Sequence, residues 1–127
     1  MIEDTGLYFG RSTARETGQL FARMASGSLV SEQASRLMIE ILKRQQVDDR
    51  LPRYLGDGVE IAHKTGDGQP WVANDAGILW VGGRAIVVVV FAGHHRGSSG
   101  DLQEAQGRIG ALVAHHYGGD VDPAGLR

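Results

Sequence analysis

An α+β fold, a three-stranded antiparallel sheet with helices packed on its faces, is predicted by three observations. Two segments with apolar residues at helical spacing come first, three strand-like segments follow between Val59 and Ala92, and a last helical segment runs to Gly118-Gly119. Gly82-Gly83 joins two of the strands as a two-residue link whose freedom at positive φ suits a tight antiparallel hairpin. The length of 127 residues suits one domain with a single core. The expected divisions are an N-terminal segment over 1–12, a single domain over 13–119 and a flexible tail over 120–127.

Thr13-x-x-Glu16 is a capping box, in which hydroxyl and carboxylate each satisfy a free backbone N–H, and it precedes Leu20, Phe21 and Met24. A helix is expected from Thr13 to Ala25, stopped by Gly27. Ser31 caps a second helix, where Ala34, Leu37, Met38, Ile41 and Leu42 follow the spacing of one buried stripe. It should fade near Gln46, because Pro52 cannot continue it and Arg50 to Gly58 is rich in turn residues. Val59, Ile61 and His63 alternate with Glu60, Ala62 and Lys64, the period of a strand, and Gly68-Gln69-Pro70 ends it. The hairpin arms are Ala76 to Val81 and Arg84 to Ala92. The second arm is apolar at every position from Ala85 to Phe91, so it should be covered on both faces. Ser98-x-x-Asp101 opens the last helix, with Leu102, Ala105, Ile109, Leu112 and Val113 expected on its buried stripe.

Thirteen basic against 15 acidic residues leave a net charge of −2. That balance argues against a dedicated nucleic-acid or membrane-surface binder, since both depend on an excess of Lys and Arg. Small molecules or other proteins are the expected partners. With zero cysteines there is neither a disulfide framework nor a thiol nucleophile. Ala85 to Ala92 is too short to span a bilayer, and Met1-Ile2-Glu3-Asp4 lacks the basic start and apolar middle of an export signal.

Lys64-Thr65-Gly66 closes the first strand and sets a cation beside a hydroxyl, a pairing suited to anions; its bland alternative is an ordinary exposed strand end. Other candidates read more simply. His94-His95 and His115-His116 suggest a metal at first sight, but adjacent strand residues face opposite ways and no carboxylate or cysteine completes a set. His115 and His116 suit a helix C-terminus. Asp48, Asp49, Asp57 and Glu60 read as solvated charges rather than an acid/base pair. Trp71 and Trp80 are expected to pack the sheet and its rim. No metal and no cofactor is implied by these residues.

In their order, these segments resemble the C-terminal portion of class A β-lactamases and related penicillin-binding serine hydrolases. Ser12-Thr13-Ala14-Arg15-Glu16 is similar to the opening of the helix after the family's omega loop, and the Ser31 to Gln46 helix to the next one. His63-Lys64-Thr65-Gly66 matches the family's Lys-Thr-Gly strand, and Asn74-Asp75-Ala76-Gly77 the start of the strand after it. The resemblance implies β-lactam or peptidoglycan-like ligands. It makes Lys64 an electrostatic and proton-relay group, Thr65 a binder of the ligand carboxylate, Gly66 a residue that leaves the ligand room, and the Asp67 backbone N–H half of an oxyanion hole. The family more often has a small residue at that last position, and a carboxylate there should raise the cost of binding an anion.

The family's nucleophile lies in Ser-x-x-Lys, yet none of Ser12, Ser26, Ser28, Ser31, Ser35, Ser98 and Ser99 has a lysine three residues on, and Lys43 and Lys64 are the only lysines. Ser-Asp-Asn and the omega-loop glutamate have no counterpart; Val47-Asp48-Asp49 is a poor stand-in. A nucleophile without its base is weak. The resemblance thus implies about the last half of an enzyme whose acylation machinery lies elsewhere, inactive alone. The alternative is a non-catalytic binding or self-association module of the same fold. Family members are typically periplasmic or secreted.

In the family the strand matching Arg84 to Ala92 is interior and pairs with a strand from the chain's beginning. Here an open edge from Ile86 to Val90 should recruit another strand. A homodimer, or association with a complementing N-terminal half-domain, is the expected outcome, with Gly6-Leu7-Tyr8-Phe9 as a short alternative cover.

Overall fold

A computed structural model describes residues 10–68, 72–93 and 96–127. The expectations for Gly6 to Phe9, Trp71 and His94-His95 fall outside the described residues. Helix α1 spans Ala14–Ala25, α2 Glu32–Leu42 and α3 Ser99–His116; strand β1 spans Glu60–Gly68, β2 Val72–Val81 and β3 Arg84–Gly93. Among the described residues no helix is long and apolar enough to cross a membrane.

The helix starts follow from local chemistry. Thr13 Oγ1 accepts the Glu16 N–H at 3.1 Å and Glu16 Oε2 accepts the Thr13 N–H at 2.8 Å. Ser31 Oγ accepts the Ala34 N–H, and Ser98 with Asp101 forms the second capping box. Gly27, at φ +75°, turns the chain out of α1. Three residues later Val30 sits at φ +61° with 88% of its surface exposed. A β-branched residue there is strained by about 1 kcal/mol, with no burial to offset it. Val30→Asn should therefore stabilise the fold by about 0.5–1 kcal/mol, seen as a higher urea midpoint at unchanged slope; a midpoint at or below that of the parent would show that Val30 is not strained.

α2 ends at Leu42 rather than near Gln46. Arg44 and Gln45 donate only three residues back, to Ile41 and Leu42, and the Gln45 side chain accepts the N–H groups of Gln46 and Val47, so side-chain bonds replace the helical ladder. Its inward face also differs from the expected stripe. Leu37 and Ile41 are 59% and 56% exposed, while Ser35, Ile39 and Leu42 face inward. α2 lies over β1 with α1 at its side, so the contact arc is displaced around the helix. Buried Ser35 is compensated by bonds to the Leu29 carbonyl and N–H, at 2.8 and 3.2 Å.

The sheet is an antiparallel meander in the order β1-β2-β3. Gly82 and Gly83, at φ +56° and +77°, form the hairpin turn between β2 and β3. β1 runs on to Gly68, paired with Val72, so Lys64-Thr65-Gly66 lies within the strand and not at its end. On one face α1 and α2 cover Ala76 and Ile78 with Phe21; on the other Leu51, Val59, Leu79, Val81, Val88 and Ala114 form a second cluster. Of β3 only Val88 is fully buried, so the expectation of an arm covered on both faces holds only in part.

α3 buries a face rotated from the expected stripe, of which Val113 still packs against the cluster containing Val88. Gln106, Gly107, Gly110, Ala111 and Ala114 are buried, whereas Ala105, Ile109 and Leu112 are exposed. The backbone of the 50–55 segment presses against this helix: a Cβ on Gly110 would lie 2.2 Å from the Leu51 carbonyl oxygen. Only small side chains fit that contact, and Ile109 and Leu112 are turned outward.

The sequence predicts mobility after Asp120, but the segment packs. Val121 bridges Leu55, the Asp122 N–H donates to the Tyr54 carbonyl, and a 3₁₀ turn at Pro123–Leu126 places buried Gly125 against Tyr54 and Ala111.

Candidate functional site

The tripeptide lies on β1, an edge strand, opposite Asn74, Asp75 and Ala76 of β2. Alternation sends its side chains to different faces. Lys64 is exposed, on the face where Ala76 packs under α1, and its Nζ donates to the Thr65 carbonyl. Thr65 is half-buried on the opposite face, in register with Asp75. A Cβ at Gly66 would meet only Asn74 Cβ at 3.9 Å, an ordinary contact, so no crowding within the chain demands a glycine there.

Asp67 is not a loose negative charge. Arg50, 2% exposed, donates from Nη2 to Asp67 Oδ2 at 2.8 Å, with Nη1 2.7 Å from Oδ1, and Nη1 also donates to the Asn74 carbonyl at 3.0 Å. The hydrogen bond to Asp67 is the first cause that raises the guanidinium above its ordinary range, with the charges of Asp67, Asp49 and Asp75 adding to it and burial opposing it. The pair ties the 50–55 segment to the residue after the tripeptide. It also answers the expected electrostatic cost of Asp67: the carboxylate beside Lys64 and Thr65 already has a cationic partner.

Beneath the strand sits a buried dyad. Asp75 is 0% exposed; its Oδ1 lies 2.9 Å from His63 Nδ1, and its Oδ2 accepts the Leu51 N–H at 3.2 Å. Gly77 makes room for this ring, since a Cβ there would stand 3.1 Å from His63 Cβ. Gln106 of α3 reaches the same region, donating to the Ala73 carbonyl at 2.8 Å. Arg50, His63, Asp75 and Gln106 were not named as site residues by the sequence. Their partners lie 12 to 33 positions away, which no local motif signals.

The remaining candidates separate from this region. Glu60 pairs with Lys43 at 2.9 Å, which raises the Lys43 ammonium above its usual range, and the same ammonium stands 4.9 Å from the Trp80 ring. Asp49 lies beside Arg50 Nε at 3.3 Å. His115 and His116 are exposed in the last turn of α3. Serine hydroxyls act structurally: Ser31 and Ser98 cap helices, Ser35 binds Leu29, Ser26 and Ser28 bond the end of α1, and Ser12 bonds Thr17. What the arrangement offers chemically is an exposed ammonium on one face of an edge strand, bonded to the Thr65 carbonyl, and a half-buried hydroxyl on the other face, carried by a strand braced from below.

The family model for the beta-lactamase enzyme family matches residues 4–117. Among solved structures, the chain is similar to a beta-lactamase from Sphaerobacter thermophilus, with 25% identity and a TM-score of 0.77 over 84% of this chain and 41% of that one. The chromosome-encoded beta-lactamase of Vibrio parahaemolyticus shares the fold at 15% identity and TM-score 0.74, over 84% and 41% of the two chains. PBP-A does so at 23% identity and TM-score 0.62, over 80% and 39%. The chain thus spans about two fifths of the length of the structures it matches. Among curated protein sequences nothing matches it.

Proposed function

The chain belongs to the beta-lactamase enzyme family, and on that footing we propose that it is a C-terminal β-lactamase-like half-domain that supplies the Lys64-Thr65-Gly66 wall of a ligand site and does not turn over β-lactams by itself. The observation that carries this reading is the exposed Lys64 ammonium in the Lys-Thr-Gly run of an edge strand, in a sequence that contains no Ser-x-x-Lys. Lys64 attracts the anionic group of a β-lactam or peptidoglycan-like molecule, Thr65 bonds its carboxylate, and the Asp67 backbone N–H faces a developing oxyanion when a nucleophile is supplied by a complementing half-domain. Alone, the same groups hold carboxylates weakly. A second reading, a non-catalytic module that associates with itself, is favoured by the apolar edge of β3, which has no partner strand among the described residues.

One titration separates reaction from recognition. Added to the isotopically labelled chain, a penicillin should move the backbone amides of Thr65, Gly66 and Asp67 first, while a chromogenic cephalosporin is hydrolysed no faster than in buffer. Turnover that Lys64→Ala abolishes would overturn the inactive reading, and shifts centred on His94-His95 would overturn the ligand placement.

A further inference from the structure

The two edges of the sheet are built differently. β1 exposes Glu60, Lys64 and Asp67 and carries Gly66 and Gly68, features that discourage a stray strand from pairing. From Ala85 to Gly93, β3 has no charge and no proline, and among the described residues nothing pairs with its outer side. Such an edge is a template for another strand.

The elements flanking β3 extend that unpartnered strip. One side of α3 is occupied: Glu104 accepts from the Tyr54 hydroxyl at 3.3 Å, and Ala111 abuts Gly125. Leu102, Ile109 and Val113 lie on the other flank, where Val113 reaches the cluster containing Val88. Ile109 is exposed there, and Leu112 beside it is 54% exposed. On the opposite face Phe91 is exposed near the end of β3.

We propose that this edge and the adjoining flank of α3 are the contact surface for a second copy of the chain, joined by antiparallel pairing of β3 with its symmetry mate. A two-fold axis normal to the sheet at Val88 sets Val88 against itself, Val87 against Val89, Ile86 against Val90, Ala85 against Phe91 and Arg84 against Ala92. Every opposed pair from Ala85 to Phe91 is then apolar, and the one charge, Arg84, meets no like charge. Because the paired positions have the same parity, both sheets keep their faces: the two α3 helices lie on one side with their Ile109 flanks toward the axis, and the α1 helices on the other. A strand of 10 residues is about 33 Å long. With a flank about 10 Å deep on each face, the strip is of order 700 Å² per partner, near the roughly 800 Å² of stable complexes. The inference rests on the second reading, the self-associating module, whose partner it specifies, and is independent of the Lys64-Thr65 ligand site.

Sedimentation velocity of the full chain over a wide concentration range tests it. A dimer is expected, with the Val87 to Val89 amides exchanging slowly. Leu112→Asp on α3 and Phe91→Lys on β3, both at exposed positions, should each weaken it at least about tenfold while circular dichroism stays unchanged. A monomer at every concentration overturns the proposal; if Val87 to Val89 are still protected, residues 1–9 cover the edge instead. A dimer indifferent to both substitutions overturns it as well, by placing the interface elsewhere. Penicillin-induced shifts at Thr65 to Asp67 are read on the same samples, so failure of the ligand site and failure of the dimer are told apart.

Discussion

Asp75→Ala is expected to cost about 4 kcal/mol of folding stability, the loss of a buried acceptor shared by two donors. The carboxylate is wholly buried and serves two donors, His63 Nδ1 on the neighbouring strand and the Leu51 N–H on the segment beneath α3. Its loss leaves both donors without water or partner, and each such group costs about 1–3 kcal/mol. A domain of this size has only about 5–15 kcal/mol in hand, so the variant should unfold at a much lower urea concentration. Asp75→Asn keeps the shape and one acceptor oxygen but turns an N–H₂ toward a donor, so it should fall between the parent and the alanine variant. A loss below about 1 kcal/mol for Asp75→Ala would mean that the dyad does not brace the strand that carries Lys64.

Gly110→Ala should destabilise by about 3 kcal/mol, although alanine is the better helix former by about 1 kcal/mol. The added carbon would stand 2.2 Å from the Leu51 carbonyl oxygen and 3.0 Å from its carbon, both backbone, so α3 itself must move away from the 50–55 segment. Gly107→Ala is the internal comparison. There the nearest atoms are Arg53 Cβ at 2.9 Å, Arg53 Cδ at 3.0 Å and the Arg50 carbonyl oxygen at 3.1 Å, a crowding several tenths of an ångström milder than the 2.2 Å at Gly110. Its effect should be smaller. Chemical denaturation of both variants checks the order; a Gly110→Ala protein as stable as its parent would show that α3 does not rest on that segment.

The failure of the periodicity argument in α3 has the same physical origin. Leu102, Ile109, Leu112 and Val113 form the bulkier apolar stripe, and a hydrophobic pattern selects bulk. The real contact is a close approach of two backbones, where the permitted residues are Gly107, Gly110 and Ala111. In α2, Leu37 and Ile41 point away from the sheet because the helix packs over β1 with α1 at its side, which displaces its contact arc. The candidate site divides similarly. Lys64, Thr65, Gly66 and Asp67 were legible as a run of adjacent residues, while the groups that hold them, Arg50 and the His63–Asp75 pair, come together only when distant segments meet.

What the amino-acid sequence determined by itself is what contacts within three or four positions decide. Thr13 with Glu16 and Ser98 with Asp101 specify where two helices begin, and Gly82-Gly83 specifies the hairpin, because each motif satisfies its own backbone groups whatever the rest of the chain does. Tertiary structure alone decided which sides of α2 and α3 are buried, that the residues after Asp120 pack against Tyr54, and that the carboxylate beside the Lys-Thr-Gly run is neutralised by Arg50. Those outcomes depend on space and charge contributed by partners tens of residues away, and burial makes such contributions strong enough to override the local pattern.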